Sequence, residues 1–272
     1  MNAIKPVGDL LREWRQRRRM SQLDLACEAE ISTRHLSFVE TGRSQPSREM
    51  ILHLAEMLEI PVRERNLLLV AAGFAPIFRE RPLDDPALTL VRNAIDMVLE
   101  RQKPYPAFGI DRHWNVAMSN AALPELYTGV SEELLERPVN AARLTLHPKG
   151  MAPRIANFAE WRAHTLTRLR HDIDLTADPV LVDLLREVSD FPAPVTTRPS
   201  HAVPDPNAVL IPFKVMTDAG LLSFVTTTTL FGTPIDVTLS ELAVELFFPA
   251  DAETDAIVRQ LDQKRAAASR AA

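Results

Sequence analysis

The chain has 272 residues, 46% hydrophobic and 25% charged, with a formal net charge of −5. A single core rarely exceeds about 200 residues, so two domains are expected. One cysteine excludes an intramolecular disulfide and suits a reducing compartment; with no leader-like apolar run ahead of the first domain and no stretch of about 18 apolar residues, a cytoplasmic protein that does not enter a membrane is expected.

Taken in chain order, Leu10, Leu11 and Trp14 mark a first helix that ends in Arg17-Arg18-Arg19. Ser21 is suited to cap a second helix from Gln22 to Ala29, with Leu23, Ala26 and Cys27 as its buried stripe. Glu30 and Ile31 make a turn. Ser32 caps a third helix, Thr33 to Thr41, whose Leu36 and Val39 face inward with Ile31. Arg34, Ser37, Phe38 and Thr41 then face out, and Gly42 stops the helix. Two short helices around a tight turn, the second with an outward polar face, fit a helix-turn-helix seated in a DNA major groove.

After Pro46, Ser47 caps a fourth helix with Met50, Ile51, Leu54, Ala55 and Leu58 on its apolar side. Pro61 opens a fifth, with Leu67, Leu68, Val70 and Ala71 for the core. Five helices in about 70 residues make one bundle.

Residues 8–72 resemble the Cro/C1-type helix-turn-helix, or XRE family. The resemblance is carried by Ser21-Gln22, Leu25-Ala26, Ile31-Ser32, Leu36, Val39-Glu40, Gly42, Pro46-Ser47, Leu54-Ala55 and Leu58. It implies that Gln22 contacts DNA at the start of the second helix and that Thr33, Arg34 and Phe38 read base edges. It also implies that Glu40 pairs with an arginine of helix one, here Arg15. Phe38 departs from the polar residue often found in its place; it either meets a thymine methyl or packs on the domain.

The side-chain chemistry suits that task. Arg34 can donate two parallel hydrogen bonds to guanine, worth about 1–3 kcal/mol of discrimination. Thr33 and Ser37 can touch bases or phosphate. Arg17, Arg18, Arg19, Arg43 and Arg48 are available for phosphates, unless Arg17 to Arg19 are only a solvated helix end. Residues 1–65 carry 11 Lys and Arg against 10 Asp and Glu, whereas residues 66–272 carry 20 against 26. The case for DNA therefore rests on motif and placement rather than bulk charge. The acidic remainder would repel DNA and argues for sensing or assembly.

The boundary is expected near Ala72 to Pro76, giving a DNA-binding domain over 1–75 and a charged linker over 76–86. Asp84 or Asp85 before Pro86 caps a helix carrying Leu88, Val91, Ile95, Val98 and Leu99. Ala107 to Ile110 reads as a strand, Asp111 to His113 as a turn and Trp114 to Met118 as its partner, after which Asn120 caps a helix. Helices are expected over 153–171 and Pro179 to Val188. Strands follow at Ala208 to Met216 and Leu221 to Leu230, and a further strand, or a helix, at Glu241 to Phe248. Asp251 to Lys264 is a terminal helix, with the end from about 263 frayed.

This second part resembles the MmyB-like ligand-binding domain over residues 87–262. The matching segments are Ile110 to Val116, Asn120-Ala121-Ala122, Phe231 to Pro234 with Asp236, Leu239, Glu241-Leu242 and Phe248 to Asp251. The resemblance implies a PAS-like α+β domain with an antiparallel sheet and an apolar pocket for an acyl, fatty-acid-like or similar small molecule. Phe108, Trp114, Trp161, Phe213, Phe224 and Phe231 are the candidate lining, with ordinary core packing as the competing reading. Alternate threonines of Thr226 to Thr229 would put two hydroxyls on the inner sheet face. Asp111 and His113 read as turn residues. His147, His164, His171 and His201 lack metal-ligand spacing and read as surface or structural.

No phosphate-binding glycine loop, GxSxG or paired metal motif is present, so no catalytic residue, metal or cofactor is expected. The sequence reads as a DNA-binding transcription regulator, a homodimer on a palindromic double-stranded operator, modulated by a small apolar effector. Two alternatives stay open: a second domain that only dimerises the reader, and an acyl-binding enzyme. An apolar void in that domain favours sensing, and a filled core with an exposed apolar face favours assembly.

Overall fold

The computed structural model describes residues 5–194, 210–231 and 236–271. In chain order the first helices are α1 (Val7–Arg17), α2 (Gln22–Glu28), α3 (Thr33–Glu40), α4 (Arg48–Met57) and α5 (Val62–Ala71). Then come α6 (Thr89–Arg101), β1 (Ala107–Ile110), β2 (Val116–Ser119), α7 (Ala141–Leu146), α8 (Phe158–Thr176) and α9 (Pro179–Ser189). The chain continues with β3 (Phe213–Thr217), β4 (Gly220–Leu230), α10 (Val237–Ser240), β5 (Ala243–Pro249) and α11 (Ala252–Ala271). No helix of the described residues is long and apolar enough to cross a membrane.

These elements form two compact units. The first holds the chain to Arg81 together with Asp172–Ala177 and α10. Serines start its helices as the sequence predicts. Ser21 accepts from the Asp24 amide while Asp24 returns a bond to the Ser21 amide, and Ser32 and Ser47 cap α3 and α4 through the amides of His35 and Met50. Gly42 follows α3 with φ +72°, the left-handed turn that a glycine takes without strain. The core is Leu11, Trp14, Leu25, Leu36, Ile51, Leu54, Leu58, Leu68 and Leu69 with small residues between them.

Two expectations about this core are corrected. On α2 the inward residues are Leu25, Ala26 and Ala29, whereas Leu23 and Cys27 are exposed. At about 100° per residue those three centre on one direction, and Leu23 and Cys27 point more than a right angle away. On α5 only Leu68 and Leu69 are buried, while Leu67 and Val70 face out, because four consecutive apolar residues of a helix cannot share one face. Part of the segment expected as a charged linker is tied to the first unit. Asn66 bonds the backbone of Ile77 and Phe78, and Arg81 pairs with Asp236 at 2.7 Å.

The second unit is built on an antiparallel sheet of order β2-β1-β5-β4-β3. Its register places Phe108, Ile110, Glu245, Phe247, Thr226 and Thr228 on one face. On the opposite face Ala107 and Val244 pack with Ile95 and Leu99 of α6 and with Leu242.

Several element bounds differ from expectation for local reasons. β2 begins at Val116 because Trp114 takes φ +67° in a turn whose Asp111 carboxylate accepts from the His113 and Asn115 amides. Asn120 caps no α-helix. It is buried, accepts from the Ala107 and Ala122 amides, donates to the Leu99 and Tyr105 carbonyls, and is followed by a 3-10 turn at Leu123–Tyr127. α8 starts at Phe158, five residues late, because Ile155 bridges to Val215 and the Ala156 amide donates to Lys214. β3 starts after Pro212, which has no amide to give a ladder, and Ala208 and Val209 lie outside the described residues. β5 resolves the strand-or-helix choice for Glu241 to Phe248 in favour of strand. α11 continues past Arg265 to Ala271 through a run of alanines, strong helix formers.

Candidate functional site

In the first unit, α3 presents two unlike faces. Leu36, Val39 and Glu40 are buried, Thr33, Ser37 and Phe38 are partly exposed, and Arg34 is exposed. Neither Thr33 nor Arg34 is walled in by its neighbours. The guanidinium of Arg34 lies 5.3 Å from the Phe38 ring centroid and that of Arg43 lies 5.9 Å from it, so one ring gathers two cations. Among the described residues neither guanidinium makes a hydrogen bond or ion pair with the protein, which leaves both sets of side-chain donors available. A helix of eight residues rises about 12 Å, comparable to the roughly 12 Å width of the major groove.

The other sequence-predicted residues divide. Arg19 is exposed in the turn after α1. Arg18 donates to the carbonyls of Leu58 and Glu59 and to those of Asp174 and Leu175, so a phosphate would compete with four carbonyls for it. Gln22 donates to the Glu40 carboxylate at 2.7 Å, leaving its own carbonyl oxygen as the free end. Arg15 grips Glu40 with two hydrogen bonds of 2.6 and 2.9 Å. Burial pushes the Glu40 carboxyl up, but the bonds from Arg15 and Gln22 and the charges of Arg15 and Arg12 outweigh it and hold the pKa below the ordinary carboxylate value.

The second unit holds a recess on the Phe108–Phe247 face of its sheet, about 720 Å³ of empty space with its mouth, of which about 80 Å³ admits the centre of a water molecule. Phe108, Trp114, Trp161 and Phe213 of the candidate lining are on its wall. Phe224 and Phe231 are elsewhere. Phe224 shares the sheet face but sits beyond Phe247, rings 5.6 Å apart, beside Val258 and Leu261 of α11, and Phe231 packs against the α6 cluster. Thr226 and Thr228 are the alternate threonines of the recess face. Thr226 lines the recess, and Thr228 donates to Glu245 at 2.9 Å.

Sequence reading missed the polar wall of this recess. Arg168 forms an ion pair with Glu245 and lies 4.9 Å from the Trp114 ring centroid. His164, read as surface or structural, lines the recess with its ring 5.3 Å from that of Trp161. Burial, reinforced by the Arg168 charge, lowers the His164 pKa, so its ring is neutral at neutral pH. Trp161 Nε1 is buried with no hydrogen-bond partner among the described residues. Burial raises the Tyr127 phenol, which also lines the wall. A signal was present: Trp161, His164, Thr165 and Arg168 fall at i, i+3, i+4 and i+7, one face of α8.

Asp111 and His113 form the turn expected of them, His113 adding a 3.0 Å contact from Nε2 to Asp178. His147 accepts from the Lys149 amide, His171 is exposed, and His201 lies outside the described residues. Among the described residues no group of three His, Cys, Asp or Glu side chains is placed to hold a metal ion.

Comparison with known families agrees with this division. A helix-turn-helix domain model matches residues 6–68, and a model of the MmyB-like transcription regulator ligand binding domain matches residues 91–261. No curated protein matches the chain. With an XRE-like helix-turn-helix ahead of a ligand-binding domain that covers more than half of its length, the chain belongs to the MmyB-like transcription regulators and is a DNA-binding protein.

Proposed function

We propose that α3 reads base edges through Thr33, Arg34, Ser37 and Phe38, that Gln22, Arg19 and Arg43 add contacts around them, and that Arg15 and Glu40 brace the reader. The observation that carries this reading is the gathering of Arg34 and Arg43 around Phe38 on the outward side of a helix whose other side is core. Contact with one aromatic ring restricts both guanidinium groups before DNA arrives, which lowers the entropy lost on binding. Arg18 is the weakest of the proposed phosphate contacts because its donors are already engaged.

The reader works as a two-fold dimer on a palindromic operator in the cytoplasm. Leu90, Ala94, Met97 and Val98 are exposed on one face of α6 at i, i+4, i+7 and i+8, an apolar stripe that a second copy would cover. We take the domains as 1–75 and 87–262, joined by residues 76–86. The recess takes a small apolar, acyl-like effector, and effector binding alters DNA affinity by favouring one arrangement of the two readers over another. We assign the chain no catalytic role.

Selection of bound fragments from the host genome, with and without a small-molecule extract of the host, tests this. Enrichment of two-fold sequences whose recovery changes with extract at fixed salt supports it. Recovery of unrelated fragments in proportion to their length contradicts it.

A further inference from the structure

The polar wall of the recess specifies the head of its ligand. Arg168 is its cation and is already matched by Glu245, which also accepts from Thr228. A carboxylate entering here would put two anions on one cation in a partly desolvated site, a poor exchange for its hydration. The neutral groups are the ones left unserved. The Trp161 Nε1–H can only donate, is buried, and has no acceptor among the described residues. The neutral His164 ring holds one donor and one acceptor nitrogen and has no hydrogen-bond partner among the described residues. The centroids of the two rings are 5.3 Å apart.

We infer that the effector carries an uncharged carbonyl head, of which a primary carboxamide uses both groups: its oxygen accepts from Trp161 Nε1–H and its N–H donates to His164. An apolar tail lies along Phe108, Phe213 and Phe247. This rests on the reading of the recess as the effector site and adds which chemical class that site selects. Burial and the Arg168 charge, by keeping His164 neutral, preserve its acceptor nitrogen for that N–H.

The test compares decanamide with decanoate on the full chain at pH 7.5, by titration and by NMR of the indole N–H groups. The chain has three tryptophans, and Trp161→Phe identifies the Trp161 resonance. The inference predicts that decanamide binds about tenfold tighter or more, the scale of one hydrogen bond otherwise left unmade. It should shift the Trp161 N–H downfield, and Trp161→Phe should weaken decanamide about tenfold more than it weakens decanoate. Decanoate binding as tightly as decanamide while shifting Trp114 overturns the head-group assignment and leaves the recess as an apolar effector site. If neither compound shifts Trp114 or Trp161, both the assignment and the effector reading fall. Should Trp161→Phe not fold, the comparison of the two ligands on the wild-type chain still decides.

Discussion

Arg15 and Glu40, 25 residues apart, close α1 onto α3 through two hydrogen bonds on a carboxylate whose side chain has no exposed surface. Arg12 adds a bond to the Glu40 carbonyl and Gln22 one to its carboxylate. The pose of the reading helix is thus fixed by ionic groups at its C-terminal end. Removing one partner leaves the other buried and unmatched, so Glu40→Ala should cost about 3–5 kcal/mol by denaturant unfolding. The double replacement Arg15→Met with Glu40→Leu should cost less than half as much. An additive double variant would contradict the pairing.

The same pair sets an acid limit. The Glu40 pKa is held below its ordinary value of about 4.5, so the folded state favours the carboxylate. Its stabilisation is complete above that ordinary value and is lost as pH falls through the lower folded-state value. Thermal melts of the wild type should therefore decline from about pH 4.5 downward. The double replacement should decline less over the same interval, and equal declines would refute the assignment.

Gly8 of α1 lies against the backbone at the end of α3. A Cβ there would come within 2.4 Å of the Val39 carbonyl oxygen and 2.8 Å of that of Glu40, backbone atoms that cannot swing aside. Alanine is favoured over glycine in a helix by about 1 kcal/mol. Overpacking should win: Gly8→Ala is expected to lose about 1–3 kcal/mol of stability and to weaken DNA binding with it. A stabilised variant would show that α1 sits looser than described.

The exposed stripe on α6 predicts the oligomeric state. Leu90→Glu with Met97→Glu should convert a dimer to a monomer by sedimentation and weaken operator binding, since one reader then binds a half-site alone. The recess wall is untouched by these changes, so decanamide affinity should persist. A variant that sediments like the wild type would place the dimer contact elsewhere.

What could be read from the sequence follows the range of the interactions. Ser21, Ser32 and Ser47 announce their helices because a cap involves residues only three apart. The inward and outward sides of α3 were legible for the same reason. Leu23, Cys27, Leu67 and Val70 misled because a seven-residue helix and a four-residue apolar run each allow more than one buried face. The polar wall of the recess was hidden for another reason. Arg168 and Glu245 are 77 residues apart and meet only when α8 covers β5, so no local pattern pairs them. The i, i+3, i+7 spacing of Trp161, His164 and Arg168 was visible, but only the sheet beneath it gives that stripe a meaning.

The most direct measurement is base preference with and without the outward arginine of α3. Wild type, Arg34→Ala and Arg43→Ala are each used to select from a randomised duplex library, and the winning duplexes are then titrated over a range of salt. The account predicts that Arg34→Ala loses preference at a guanine position, by about 1–3 kcal/mol, while Arg43→Ala keeps the wild-type sequence and lowers the salt slope by about one. An Arg34→Ala protein that selects the wild-type sequence with undiminished preference would contradict α3 as the reader.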